Sequence, residues 1–121
     1  MALAVGVDII EVARIGAVLE RHGRRFLDRV FTPAEQAHCG GRVACLAARW
    51  AAKEAVSKAL GCGIGDVAWR EIEVLADERR MPVIRLSGAA ARLASERHIR
   101  GWAVSLSHTR KYAVAFVVAW Q

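Results

Sequence analysis

The sequence predicts an α+β fold: a small antiparallel sheet packed against a long central helix and shorter helices. Three observations carry that expectation. Residues 43–60 form an Ala- and Leu-rich stretch with no proline to interrupt it. The second half holds two pairs of apolar or alternating segments, each pair joined by a polar turn. A short apolar segment near the N-terminus is separated from those pairs by helical patterns. Nothing repeats and no linker composition divides the chain, so one domain spanning residues 1–121 is expected.

In chain order, Leu3 to Ile10 is a strand candidate containing one acid, Asp8. A carboxylate in an apolar run is costly unless paired, metal-bound or placed at the strand end. Two roles fit it. Asp8 caps the next helix, with Glu11 three residues on, or it is a metal ligand. Val12, Ile15, Val18 and Leu19 then make a helical stripe that ends at Gly23. Arg14 and Arg21 share an outer face there, and Arg24, Arg25 and Arg29 follow, against Glu11, Glu20 and Asp28. This basic end reads as a solvated face or as a docking surface for an acidic partner.

Thr32-Pro33-Ala34-Glu35 is a helix start, with Thr as cap, Pro at the first position and Glu at the third. Gly40-Gly41 ends that helix, with His38 and Cys39 in structural roles. The long helix begins near Val43 and stops at Gly61 and Gly63. Cys45, Ala48, Ala52, Val56 and Ala59 give it a small-residue face suited to close packing. Trp50, Glu54 and Lys58 follow one another at successive turns on a second face. Glu54 and Lys58 at that spacing make an exposed ion pair worth about 0.2–0.5 kcal/mol, or part of a site. The run Gly61-Cys62-Gly63-Ile64-Gly65-Asp66 follows its helix, whereas phosphate-binding glycine loops precede theirs, so C-capping is its first explanation.

Glu71–Leu75 and Pro82–Leu86 read as one antiparallel hairpin, and Ser87-Gly88 opens a helix reaching about Arg97. Trp102–His108 and Tyr112–Trp120 read as a second hairpin with Thr109-Arg110-Lys111 at its turn. His108 ends its strand beside Ser105, Ser107, Thr109 and two basic residues, a setting suited to phosphate oxygens. A Ser–His hydrolase lacks its nucleophile elbow, G-x-S-x-G, in this sequence.

Composition narrows the class. Hydrophobic residues at 55% and charged residues at 25% exclude a disordered or fibrous chain. No apolar run reaches the roughly 18 residues of a membrane span, and Met1–Val5 has no basic lead-in of the signal-peptide kind. Cys39, Cys45 and Cys62 are odd in number and lack C-x-x-C spacing, so reduced thiols in a cytoplasmic protein are expected. A net charge of +6 points to a polyanionic partner: nucleic acid, a phosphorylated small molecule or an acidic protein. Trp50, Trp69, Trp102 and Trp120 are dispersed and apolar-flanked, against the interleaved aromatic and basic residues of a nucleic-acid surface.

Three segments together resemble a known family. Gly6-Val7-Asp8, Trp50-Ala51-Ala52-Lys53-Glu54-Ala55-Val56-Ser57-Lys58 and Ser105-Leu106-Ser107-His108 are similar to the holo-[acyl-carrier-protein] synthases, the small bacterial 4′-phosphopantetheinyl transferases. The resemblance spans essentially the whole chain. It implies the 4′-phosphopantetheinyl transferase fold and transfer of the phosphopantetheine arm of coenzyme A to a serine of acyl carrier protein. The by-product is adenosine 3′,5′-bisphosphate, and the reaction supports fatty acid biosynthesis. It implies Mg²⁺ held by Asp8 and Glu54, with Glu54, Lys58 and His108 catalytic. Lys58, Ser107 and His108 are expected at coenzyme A. Arg14, Arg21 and Arg24 are expected at acyl carrier protein. The family also implies a homotrimer with each site between subunits, no nucleic-acid or membrane partner, and a cytoplasmic location. A purely structural trimer is the competing class, separated by Mg²⁺-dependent coenzyme A binding. Two departures from the family pattern stand out: Arg80-Met81-Pro82 where a Gly-Lys-Pro-like turn is usual, and Ala103 where His is often found.

Overall fold

The computed structural model describes residues 2–121. Helix α4 (Val43–Ala59) is its axis. It lies on the inner face of a three-stranded antiparallel sheet of β1 (Leu3–Glu11), β5 (Tyr112–Trp120) and β4 (Gly101–His108), in the order β1-β5-β4. Small residues make that contact close. Ala51, Ala52, Ala55 and Val56 of the helix are fully buried, as are Ala113, Ala115 and Val117 of β5. Alternation sends the other strand face outward, leaving Leu3, Val5, Val7, Ile9 and Phe116 exposed.

Between β1 and α4 run three shorter helices: α1 (Val12–His22), α2 (Arg24–Val30) and α3 (Pro33–Cys39). The break between α1 and α2 falls at Gly23, whose φ of 53° suits a residue without Cβ. α3 starts as expected, with Thr32 and Glu35 forming a reciprocal capping box and Pro33 at the first position. Beyond α4 a 3₁₀ turn (Trp69–Glu71) leads into the antiparallel hairpin β2 (Ile72–Ala76) and β3 (Pro82–Leu86). Helix α5 (Gly88–Glu96) then leads to β4. Glu71, expected to open the first hairpin strand, belongs to the 3₁₀ turn because its carboxylate accepts from the backbone N–H groups of Ala68 and Ala89.

The glycine run after α4 does cap it: Gly61 N–H donates to Lys58 C=O and Cys62 N–H to Ser57 C=O. Two expectations are corrected. Asp8 does not cap α1. The strand continues through Glu11, which stands at the N-cap position without a side-chain cap bond. Nor are all three cysteines reduced thiols: Cys39 and Cys45 are joined by a disulfide, and Cys62 alone is free. A spacing of six matches no familiar ligand pattern. Gly40 and Gly41 at φ 56° and 81° fold the chain back between α3 and α4, bringing the two Cα atoms to 5.4 Å.

Candidate active site

Gly6 decides where β1 meets α4. A Cβ there would overlap the Ala55 carbonyl oxygen, so only glycine lets the strand lie directly on the helix backbone. Asp8 is two residues on and therefore on the same face, turned towards the C-terminal half of α4. Lys58 reaches it: its ammonium lies 3.1 Å from Asp8 Oδ1 and donates to Val7 C=O at 2.9 Å. The lysine thus pairs with the strand acid and not with Glu54 one turn behind it. Glu54 is half-buried, and burial raises its carboxyl above the ordinary glutamate range. The Asp8 charge raises it further, while Lys58 pulls it down. Asp8 of β1 and Glu54 and Lys58 of α4 therefore share one local field.

The residue before Glu54 does something the spacing did not reveal. Lys53 is fully buried, and its ammonium donates to Glu35 Oε1 at 2.8 Å and to the carbonyls of Trp69 and Ile72. Burial lowers its pKa, and the charge and hydrogen bond of Glu35 oppose that. The ammonium has three donors and all three are used, which is how a buried charge is tolerated. It ties α4 to α3 and to the hairpin, fixing the helix on which Glu54 rides.

His108 lies elsewhere. It lines a cleft of 620 Å³ with His38, Arg42, Arg49 and Arg80, floored by Ala48 and Leu106. Arg49 is only 6% exposed, and its Nε has no hydrogen-bond partner. A buried guanidinium N–H without a partner carries a desolvation cost, and Arg49 is one of the residues lining the cleft. Burial and the neighbouring Arg49 and Arg42 charges push the His38 pKa down, so that imidazole favours its neutral form. Arg42 and Arg49 lie two turns apart at the start of α4, and they escaped notice as a group because Arg80 joins them only through the β2–β3 turn. The one available signal was that two-turn spacing of Arg42 and Arg49. Arg49 and Lys58 are nine residues apart on α4, about 14 Å along the axis and on opposite sides of it. Within one chain, then, the structure gathers Asp8, Glu54 and Lys58 but keeps His108 with a different cluster. Ser107 is exposed and alternates to the other strand face from His108, so it lies outside that cleft.

Arg14 and Arg21 are exposed on α1, and Arg24 is exposed at the start of α2. Arg24 makes a loose 4.0 Å pair with Asp28, too open to contribute much. Beside them is a 380 Å³ pit lined by His22, Arg25 and Arg29 over Phe26, Trp50 and Trp69. The two indoles stack with centroids 4.1 Å apart. The pit gives the basic face an apolar floor.

Among the described residues, no group of three or more His, Cys, Asp or Glu side chains is arranged to hold a metal, and no helix is long and apolar enough to cross a membrane. Residues 4–117 match the family model of the 4′-phosphopantetheinyl transferase superfamily. The holo-[acyl-carrier-protein] synthase of Herpetosiphon aurantiacus is 51% identical over 96% of this chain and 97% of its own length. That of Desulforudis audaxviator is 48% identical over 98% and 93%. Among solved structures, holo-[acyl-carrier-protein] synthase of Helicobacter pylori in complex with coenzyme A superposes with a TM-score of 0.88 at 32% identity, covering 96% of this chain and 99% of that one. The enzyme of Neisseria meningitidis gives 0.88 at 34% identity, covering 98% of each.

Proposed function

This chain belongs to the holo-[acyl-carrier-protein] synthases of the 4′-phosphopantetheinyl transferase superfamily, and we propose that it moves the 4′-phosphopantetheine of coenzyme A to a serine of apo-acyl carrier protein, releasing adenosine 3′,5′-bisphosphate. In this reading residues 1–121 are one transferase domain, working in the cytoplasm in support of fatty acid synthesis. The observation that carries it is the β1–α4 seam, where Asp8, Glu54 and Lys58 meet.

The donor set suits Mg²⁺. Two carboxylates are hard oxygen donors of the kind Mg²⁺ takes alongside phosphate and water, and the ion seldom sits in an all-protein cage. Asp8 and Glu54 are the residues that would hold it, and the ion would neutralise charge on the pyrophosphate. The protein's own groups do the rest. Lys58, already held by Asp8 and Val7 C=O, presents a cation to the phosphate oxygens. Glu54, whose proton affinity is raised, is suited to take the proton that the acceptor serine loses. His108, Arg42 and Arg49 offer a cationic cleft for the phosphate-bearing nucleoside end of coenzyme A.

The seam and the cleft sit on opposite sides of one helix, so a complete site calls for a seam from one subunit and a cleft from its neighbour. The exposed apolar face of Leu3, Val5, Val7, Ile9 and Phe116 is the surface on which such copies would join. A homotrimer closes that arrangement. Arg14, Arg21 and Arg24, with the Trp-floored pit, are offered as the dock for an acidic carrier protein.

Mass spectrometry of apo-acyl carrier protein incubated with the protein, coenzyme A and Mg²⁺ tests the reading. A gain of one phosphopantetheine on a serine is expected, lost when Mg²⁺ is chelated. An unchanged carrier-protein mass would overturn it.

A further inference from the structure

The turn between α3 and α4 has little to hold it. Gly40 and Gly41 both adopt positive φ, and no neighbouring atom lies within 4 Å of where a Cβ would stand on either. Besides the backbone bonds from Gly40 N–H to Gln36 C=O and from Arg42 N–H to Cys39 C=O, two side-chain fasteners cross this open bend. Arg42 folds back, its Nε donating to Cys39 C=O and its Nη2 to His38 C=O, each at 2.8 Å. The Cys39–Cys45 disulfide closes the same seven-residue loop. The loop forms one wall of the basic cleft, since His38, Arg42 and Cys45 line it together with Arg49 and His108.

Disulfides in reducing compartments are usually transient and redox-sensing. We propose that Cys39 and Cys45 are a thiol–disulfide site that tightens or slackens the basic cleft and so sets its affinity for a phosphate-bearing nucleotide. The bond fixes the carbonyls that orient Arg42, while its reduction frees the two-glycine bend and lets that guanidinium disperse. The co-reactant is a small thiol. Cys39 is fully buried and Cys45 is half-buried at the cleft wall, so the incoming thiolate attacks Cys45 Sγ. The S–S bond breaks, the Cys39 thiolate leaves and takes a proton, and Cys45 carries a mixed disulfide. A second thiolate attacks the small-molecule sulfur of that mixed disulfide and releases Cys45, which is protonated in turn. Two thiols are oxidised to one small disulfide as one protein disulfide is reduced; the reverse exchange restores the bond.

This inference rests on the reading that the cleft receives the nucleotide end of coenzyme A. The probe is adenosine 3′,5′-bisphosphate, which has no thiol of its own, titrated calorimetrically into the full-length protein. The oxidised protein, prepared with oxidised glutathione, should bind it about tenfold more tightly than protein held in dithiothreitol. The Cys39→Ser/Cys45→Ser variant should show the weaker affinity under both conditions, and Cys62→Ser should keep the redox response. Equal affinity in the two states, binding in neither, or free thiols at Cys39 and Cys45 in peptide maps of the oxidised protein would each overturn the clasp. Phosphopantetheine transfer measured on the same samples judges the catalytic reading separately: transfer with redox-independent affinity removes only the clasp, and redox-dependent affinity without transfer removes only the transferase.

Discussion

The two ends of helix α4 build their sites in different ways. At the C-terminal end, one strand lies directly on the helix because Gly6 has no Cβ to meet the Ala55 carbonyl. Asp8, Glu54 and Lys58 then meet through two elements alone. At the N-terminal end, the basic cleft draws on the α3–α4 turn, the β2–β3 hairpin and the end of β4. The acidic seam is a rigid two-body contact. The cleft is a many-body assembly, with an orphaned Arg49 donor at its wall and a glycine bend at its rim. A charge carried on a periodic element announces its neighbours in the sequence; a cluster assembled by topology does not.

That contrast can be broken most sharply at the seam. Asp8→Asn or Glu54→Gln should lower the transfer rate by about 10²–10³-fold, the scale of removing one electrostatic partner from a reacting centre. Circular dichroism should show the fold intact, and near-normal turnover in either variant would remove the shared metal assignment. At the other end, Arg49→Met should raise the KM for coenzyme A about 10- to 100-fold, as expected for a charge-assisted hydrogen bond of about 1.5–3 kcal/mol. The kcat at saturation should hold, and steady-state kinetics separates the two.

Gly6→Ala attacks the two-body contact itself. The added methyl forces β1 off α4, and chemical denaturation should show a loss of about 1–3 kcal/mol together with reduced transfer. Reversing charge with Arg14→Glu and Arg21→Glu should raise the carrier-protein KM about tenfold, mostly through association rate, while sparing coenzyme A binding. A carrier-protein KM unmoved by the reversal would place the dock elsewhere.

The smallest effect is electrostatic. Glu54 holds its proton more tightly in the folded protein than in the unfolded chain. Its contribution to stability is therefore fully present below the unfolded-chain pKa and is lost as pH rises through the raised folded value. Glu54→Gln should modestly raise the melting temperature of the ligand-free protein near neutral pH and leave it unchanged in acid. Asp8→Asn removes one cause of the shift, so an NMR titration should find the Glu54 carboxyl moved down towards the usual range.

Most of the fold was legible because local chemistry and tertiary packing agree. The Thr32–Glu35 box, the alanine face of α4 and the turn residues of both hairpins each signal their element directly. The seam residues were legible for the same reason, lying on one strand face and one helix face. Asp8 was ambiguous because a cap and a site ligand have the same local pattern, and strand continuation through Glu11 removes the cap. The disulfide was hidden in a glycine bend whose geometry no spacing rule encodes. The cleft arginines were hidden because their neighbours are set by the hairpin returning past α4. Lys53 was visible as a residue, but its burial depends on Glu35, eighteen positions earlier.

That glutamate has a consequence for how the molecule comes apart. Glu35 Oε1 accepts from Thr32 N–H and the Lys53 ammonium, and Oε2 accepts from Val74 N–H. One carboxylate therefore fastens the start of α3, the middle of α4 and a strand of the hairpin at once. The hairpin has no way to fray alone without taking the Ile72 carbonyl from the buried Lys53 ammonium and the Val74 amide from Glu35. Opening there is expected to be shared by all three elements, so that the Val74 amide exchanges with solvent only when they release together.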